Sequence, residues 1–172
     1  PLPGIASGAA LHVRGPNLMS GYLYHDRPGE LVPPQSSAGA GWHETGDVVD
    51  IDAEGFVTIV GRTRRFAKVA GEMISLDAVE RVAFAASPAH RHAAVLEQVA
   101  GQGESTLLFT TDATLDRVTL LRAAREAGAS DLTTARRIVF LSDLPLLGNG
   151  KTDYVALSRR ANDAAAAGVA RA

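Results

Sequence analysis

The feature that most limits how this chain can fold is the run from Asp47 to Val60. Asp47-Val48-Val49-Asp50-Ile51-Asp52 and Phe56-Val57-Thr58-Ile59-Val60 are rich in β-branched residues and flank the short connection Ala53-Glu54-Gly55. Such side chains are stiff against a helical turn but pack well on a pleated surface, and a short Gly-containing connection closes two strands into a hairpin. The apolar pattern stops at Gly61-Arg62, where Thr63-Arg64-Arg65 brings in charge, so a domain boundary is expected there. Upstream the alternation is weak. A strand is expected over Ala10 to Arg14, before the turn-forming Gly15-Pro16-Asn17, and residues 28–41 collect Pro, Gly, Ser and Ala into a surface loop.

Beyond the boundary helical and strand periods alternate. Ser75 is placed to cap a helix whose apolar face is Leu76, Val79, Val82 or Ala83, and Ala86, ended by Ser87-Pro88. Ala93 to Val99 and Glu104 to Thr111 read as strands around Gly101-Gln102-Gly103. Thr114 precedes a second amphipathic helix through Leu115, Val118, Leu121 and Ala124, with Gly128 where a left-handed C-terminal cap is expected. Arg137 to Leu141 reads as a strand. After a loop from Asp143 to Asp153, Tyr154 to Ala167 reads as a helix that becomes an alanine-rich tail from about residue 162. The order β, α, β, β, α, β, α predicts a small α+β domain over about residues 63–160, with helices against one sheet face. No internal repeat is visible.

Composition narrows the function classes. With 172 residues, 46% of them hydrophobic, the chain can bury a core without staples. It has no cysteine, which excludes thiol catalysis, iron–sulfur clusters and disulfides and makes a reducing cytoplasm the default. A net charge of -2 gives no general field for a nucleic-acid backbone. No apolar run reaches the length of about 20 residues that spans a bilayer. The start, Pro1-Leu2-Pro3-Gly4, has neither an initiator Met nor a signal-peptide pattern, so a piece of a longer protein is expected. Among 17 basic residues only Lys68 and Lys151 are lysine, the rest being arginine. A lysine is a compact ammonium on a flexible stem, suited to placing a point charge on a phosphate or a developing oxyanion.

Several residues are candidates for chemistry. Lys151 follows Gly148-Asn149-Gly150 on a loop, where it serves either as a solvated turn residue or as a transient contact for phosphate or carboxylate. The spacing lacks the pattern of a P-loop. In Thr45-Gly46-Asp47 a carboxylate stands at a strand start, either capping a turn or accepting hydrogen bonds from a diol such as ribose. Arg62, at the end of the paired strand, is either solvated or a second group on that edge. Arg62, Arg64, Arg65 and Lys68, interleaved with Phe66 and followed by Gly71, form either a charged connector or a face for an acidic partner or a phosphate-bearing arm. The histidines lack ligand spacing and read as loop or surface residues, and no metal site is expected. Trp42 reads as a loop anchor.

Taken together, the ordered segments Gly15-Pro16-Asn17-Leu18-Met19-Ser20-Gly21-Tyr22-Leu23, Gly41-Trp42-His43-Glu44-Thr45-Gly46-Asp47, Asp52-Ala53-Glu54-Gly55-Phe56, Gly61-Arg62-x5-Lys68-x2-Gly71 and Pro145-x5-Lys151 resemble the end of the AMP-forming adenylating enzymes. That superfamily holds acyl-CoA synthetases, peptide-synthetase adenylation domains and firefly luciferase. The stretches from Gly61 to Leu76 and from Pro145 to Lys151 most resemble the bifunctional 2-acylglycerophosphoethanolamine acyltransferase/acyl-[acyl carrier protein] synthetases. The usual pattern has Asp or Lys at the hinge with an acidic residue after it, whereas this chain has Arg64 and Arg65.

The resemblance implies a fold: the last β-rich subdomain of a large adenylating portion over residues 1–62, then a mobile α+β lid over residues 63–172. It also implies roles. Asp47, assisted by Arg62, would bind the ribose hydroxyls of ATP, and Arg64 would be the hinge. Lys151 would reach the substrate carboxylate and α-phosphate during adenylation, and the face of Lys68, Gly71 and Glu72 would line the approach of a phosphopantetheine arm. The implied substrates and partners are ATP with Mg, a fatty acid, acyl carrier protein and the N-terminal adenylating portion. The implied context is phospholipid metabolism, through lysophospholipid reacylation in a parent protein that can associate with the inner membrane. This chain alone is expected to bind ATP weakly and to form no acyl-adenylate. A CoA ligase, an amino-acid-activating domain and a non-catalytic lid that docks on a partner are the other readings.

Overall fold

The computed structural model describes residues 8–69, 71–99 and 103–169. The N-terminal Pro1-Leu2-Pro3-Gly4, Ala70 and the Gly101-Gln102 part of the expected connection lie outside them. The chain divides between Arg64 and Arg65 into two units.

Among the described residues, the regular elements of the first unit are all strands. β1 (Ala9–Val13), β4 (His43–Ile51) and β5 (Val57–Arg62) form an antiparallel sheet in the order β1-β4-β5, and β2 (Tyr22–Leu23) pairs with β3 (Leu31–Val32) in a separate ribbon. The β4–β5 hairpin is closed by Asp52, whose Oδ1 accepts from the amides of Glu54 (3.1 Å) and Phe56 (2.8 Å). An Asp side chain thereby replaces backbone partners in the turn. The register shifts between Val48 and Val49, so that Val48 faces Gly61 and Val49 faces Ile59. This irregularity bends the end of the hairpin that carries Asp47 and Arg62.

The second unit is mixed. It runs through the hairpin β6 (Phe66–Val69) and β7 (Glu72–Ser75), helix α1 (Leu76–Ala86), strands β8 (His92–Val99) and β9 (Gly103–Thr110), and helix α2 (Arg117–Glu126). A single 3-10 turn, strand β10 (Arg137–Phe140) and helix α3 (Tyr154–Val169) complete it. The sheet order is β10-β9-β8, with β8 antiparallel and β10 parallel to β9. Ser75 caps α1 as expected, its hydroxyl accepting from the Ala78 amide.

Two expectations are corrected. The helices cover both sheet faces rather than one: α1 and α2 pack with Ala94 and Leu108, while Leu157 and Ala161 of α3 pack with Ala93, Val95, Leu107 and Phe109. A strand buried on both sides reads as a continuous apolar run, and Leu107-Leu108-Phe109 is one. The second helix is capped by Asp116, which accepts from the Thr119 amide at 2.8 Å, while the Thr114 hydroxyl donates to Asp112. The later start turns Leu120, Ala123 and Ala124 inward and leaves Val118 67% exposed. The helix ends as its sequence implies. Gly128, at φ 67°, donates to Arg125 O, and Ala129 N–H reaches Ala124 O at 2.8 Å. That pair of bonds is the Schellman arrangement, which needs a left-handed residue.

Candidate functional site

Asp47 and Arg62 are register partners across β4 and β5. Arg62 Nε lies 3.1 Å from Asp47 Oδ1, with the Asp47 side chain 15% exposed and that of Arg62 64% exposed. No aligned hydrogen bond reaches the buried Asp47 Oδ1, so the guanidinium supplies charge while the oxygen keeps acceptor capacity. Thr45 fixes the approach to Asp47: its hydroxyl donates to Leu11 O and accepts from the Asp47 amide, each at 3.1 Å. Thr63 N–H donates to Gly46 O at 2.8 Å and holds the chain after Arg62 against β4. Around this end of the hairpin lies an open groove of about 440 Å³, lined by Glu44, Thr45, Gly46, Arg62, Thr63 and Arg64. Arg64 is exposed at its rim.

The second group of expected residues sits on the β6–β7 hairpin. Ala67 and Ile74 point into the core with α1 and α2, so by strand alternation Lys68 is turned outward. Lys68 and Glu72 are exposed, and Gly71 between the strands has φ 90°. The hairpin is held to the sheet by the Lys68 amide, which donates to Glu104 Oε2 of β9 at 3.2 Å.

Lys151 is at the tip of a small turn of its own. Leu147 N–H donates to Lys151 O and Gly150 N–H to Leu147 O, each at 2.8 Å, while Asn149 Oδ1 accepts from the Lys151 amide at 3.1 Å. Gly150 supplies the φ of 81° that closes the turn. Leu146 bridges to Thr152 and Asp153 N–H donates to Pro145 O, so the turn closes like a short hairpin with the Lys151 side chain in solvent. Asp47 and Arg62 are thus brought together, whereas Lys68, Gly71 and Glu72 share one hairpin and Lys151 stands on another element.

The structure adds a cluster that sequence reasoning missed. Glu80 of α1 accepts at Oε1 from Arg65 Nη2 (2.7 Å), the Tyr154 hydroxyl (3.0 Å) and the Ala94 amide of β8 (2.8 Å). Asp77 Oδ1 lies 2.8 Å from Arg65 Nε, and the Arg65 guanidinium stacks 3.9 Å from the centre of the Tyr154 ring. Burial opposes the charge on Arg65, but Glu80, Tyr154 and Asp77 outweigh it and raise its pKa. Burial first, then the Glu80 charge, pushes the Tyr154 hydroxyl up, against the pull of Arg65. The sequence signal available was Arg65 itself, an arginine beside the expected hinge, with two acids at helical spacing in Asp77 and Glu80.

Away from these groups, Ser87 at the end of α1 donates to Asp112 Oδ2 at 2.6 Å and is 2.8 Å from His90 Nδ1. His92 Nε2 lies 2.8 Å from Ser87 O, so this histidine starts a strand and caps α1 instead of lying in a loop. Hydrogen bonds from Ser87 and Thr114 hold the Asp112 carboxyl well below the usual carboxylate range. Among the described residues no cluster of three or more His, Asp or Glu side chains is arranged to hold a metal ion. Among them, too, no helix is long and apolar enough to cross a membrane.

No family model matches the chain. It is 33% identical over 163 residues to the dimodular nonribosomal peptide synthase of Bacillus subtilis, covering 90% of this chain and 7% of the relative. It is 27% identical over 161 residues to the vibriobactin-specific 2,3-dihydroxybenzoate-AMP ligase of Vibrio cholerae, covering 91% of this chain and 29% of the relative. The amide bond synthetase McbA from Marinactinospora thermotolerans superposes with a TM-score of 0.69 and 28% identity, over 92% of this chain and 32% of that one. The chain therefore spans less than a third of the length of these proteins. The relatives and structural neighbours are members of the AMP-forming adenylation and acyl-CoA ligase family. The α+β fold matches the small C-terminal domain of adenylating enzymes.

Proposed function

We propose that this chain is the end portion of an ATP-dependent, AMP-forming ligase that activates a fatty acid as acyl-adenylate and passes the acyl group to the phosphopantetheine thiol of acyl carrier protein. The observation that carries the reading is the Asp47–Arg62 pair at 3.1 Å, in which Arg62 lines an open groove and the Asp47 side chain keeps 15% exposure. A vicinal diol such as that of ribose offers two hydroxyl donors to such a carboxylate. The relatives supply the reaction class. The choice of a fatty acid and a carrier protein rests on the resemblance of the Gly61–Leu76 and Pro145–Lys151 stretches.

In the first half-reaction a carboxylate oxygen of the acid attacks the α-phosphorus of ATP, and the bond to the pyrophosphate oxygen breaks. Lys151, on an exposed turn, places its ammonium on the carboxylate and α-phosphate oxygens as negative charge builds there. Mg ions would neutralise phosphate charge when bound, and among the described residues no group of three or more His, Asp or Glu is arranged to hold one. In the second half-reaction the thiol sulfur attacks the acyl carbon, its proton leaves to solvent and AMP departs. Arg64 is the hinge about which residues 65–172 turn between the two steps, and Lys68, Gly71 and Glu72 line the approach of the thiol arm. The same resemblance puts the thioester product upstream of lysophospholipid reacylation.

The test uses the full-length protein that carries this chain. Lys151→Ala should cut acid-dependent ATP–pyrophosphate exchange by about 10²- to 10³-fold, the range for loss of one charge-stabilising group. It should leave thioester formation from supplied acyl-adenylate nearly intact. Equal loss in both half-reactions would refute the assignment. Offering CoA against holo-carrier protein decides the thiol, and a preference for CoA would refute the carrier reading.

A further inference from the structure

We infer that Glu80, acting through Tyr154 and Arg65, is a positioning residue for Lys151: the three side chains brace the segment that follows Arg64 against the segment that follows Lys151. The inference rests on the ligase reading above and deepens it.

The turn that presents Lys151 is poorly held by its own contacts. Its hydrogen bonds run among Pro145, Leu147, Asn149, Gly150, Lys151 and Asp153, and those that leave the turn do so at Asp153, which accepts from the Ala156 and Leu157 amides of α3. Leu146 and Leu147 are 44% and 46% exposed, so no apolar floor lies under it. The turn is therefore placed by its two ends. Leu144, 3% exposed, enters the core under α3 at one end, and Tyr154 opens α3 at the other. The pair between Arg91 and Asp143 at 3.5 Å joins side chains 44% and 74% exposed, and such pairs contribute little.

The Tyr154 end is different, because its hydroxyl donates to Glu80 while its ring covers Arg65. Glu80 sits on a helix fixed by Leu76, Val79, Val82 and Ala83 in the core. Its carboxylate also takes the Ala94 amide, so it cannot swing to follow a wandering partner. Arg65 adds the last link, since its carbonyl accepts from Leu76 N–H at 2.9 Å and its side chain is clamped by Asp77 and Glu80. One carboxylate thus ties together the residue after Arg64, helix α1, strand β8 and the start of α3. When residues 65–172 turn about Arg64, the brace makes the Lys151 turn follow without lag. An ammonium acting on a phosphoryl group must be placed to within about 1 Å, and misplacement on that scale costs up to about 10²-fold in rate.

The test separates positioning from stability. Tyr154→Phe removes one oxygen and keeps the ring over Arg65. In the full-length protein it should lower kcat for ATP–pyrophosphate exchange about tenfold, with thioester formation from supplied acyl-adenylate within about twofold of the parent. Amide exchange in residues 144–153 should rise while that of α1 stays as it was. Glu80→Gln, which keeps an acceptor for Ala94, should show the same split more strongly. A merely structural role would lower both half-reactions together and loosen α1. That result, or unchanged exchange kinetics in both variants, would overturn the inference. Lys151→Ala in parallel tells the two failures apart. If it abolishes adenylation while Tyr154→Phe has no effect, the brace is refuted alone, and if Lys151→Ala is itself silent, the ligase role and the brace fall together.

Discussion

Replacing Leu157 by Ala should destabilise residues 65–172 by about 3 to 5 kcal/mol. Leu157 is 0% exposed on α3 and packs with Ala93, Val95, Leu107, Phe109 and Leu144. The substitution withdraws three carbons from this cluster, about 2.4 kcal/mol at ~0.8 kcal/mol per CH₂. The hole adds to that, because a sheet backed on its other side by α1 and α2 cannot collapse into it, and buried Leu→Ala changes fall at about 2.7 to 5.0 kcal/mol. Val155, on the same helix but 62% exposed, is the control, and its change to Ala should stay within about 0.5 kcal/mol. Urea unfolding followed by helical dichroism reads the effect, since the three α-helices of the described residues lie in residues 65–172. The fluorescence of Trp42, the single tryptophan, reports the other unit and should keep its midpoint. A cost below about 1 kcal/mol for Leu157→Ala, or equal costs at both positions, would refute the packing of α3 on this second face of the sheet.

Gly128→Ala should cost about 1 to 2 kcal/mol, because φ of 67° is strained for any residue with a Cβ, and the same dichroism titration measures it. The folded-state pKa values of Asp112, Asp116 and Asp131 are all lowered by hydrogen bonds or charge, from Ser87, Thr119 and Arg125 respectively. The stability they contribute is full above the unfolded carboxylate pKa, about 3.9, and is lost as pH falls below it towards the folded values. Urea midpoints taken at falling pH should therefore decline, and Asp112→Asn should flatten that decline; a midpoint rising with acid would contradict the sign. On the proposed assignment, Asp47→Ala in the full-length protein should raise KM for ATP, with Arg62→Ala doing so less, since Arg62 is given only the assisting role; steady-state kinetics at varied ATP shows the order.

What the sequence revealed and what it hid differ by range. The β4–β5 hairpin is written locally, in two β-branched runs and the Asp52 turn, and the cap of α1 in Ser75. The start of α2 expected after Thr114 gives way to a cap at Asp116, because both residue types cap helices and only helical phase against the core chooses between them. The hairpin carrying Lys68 was masked by charge, its inward Ala67 and Ile74 being too few to set a period. Within the candidate site, Asp47, Arg62 and Lys151 were legible as short motifs. The Glu80 cluster was not, because Arg65 and Tyr154 lie 15 and 74 residues from Glu80 and no periodic pattern connects them.

The scarcity of lysine has a practical corollary. Every side-chain amine of this chain belongs to Lys68 or Lys151, and both are exposed, one on the β6–β7 hairpin and one on the Gly148–Lys151 turn. An amine-selective acylating reagent therefore has two side-chain targets, each standing on a different proposed working surface. The ratio of label at the two positions becomes a reporter of which surface is covered at any point in a catalytic cycle, readable by peptide mass without engineering a single residue.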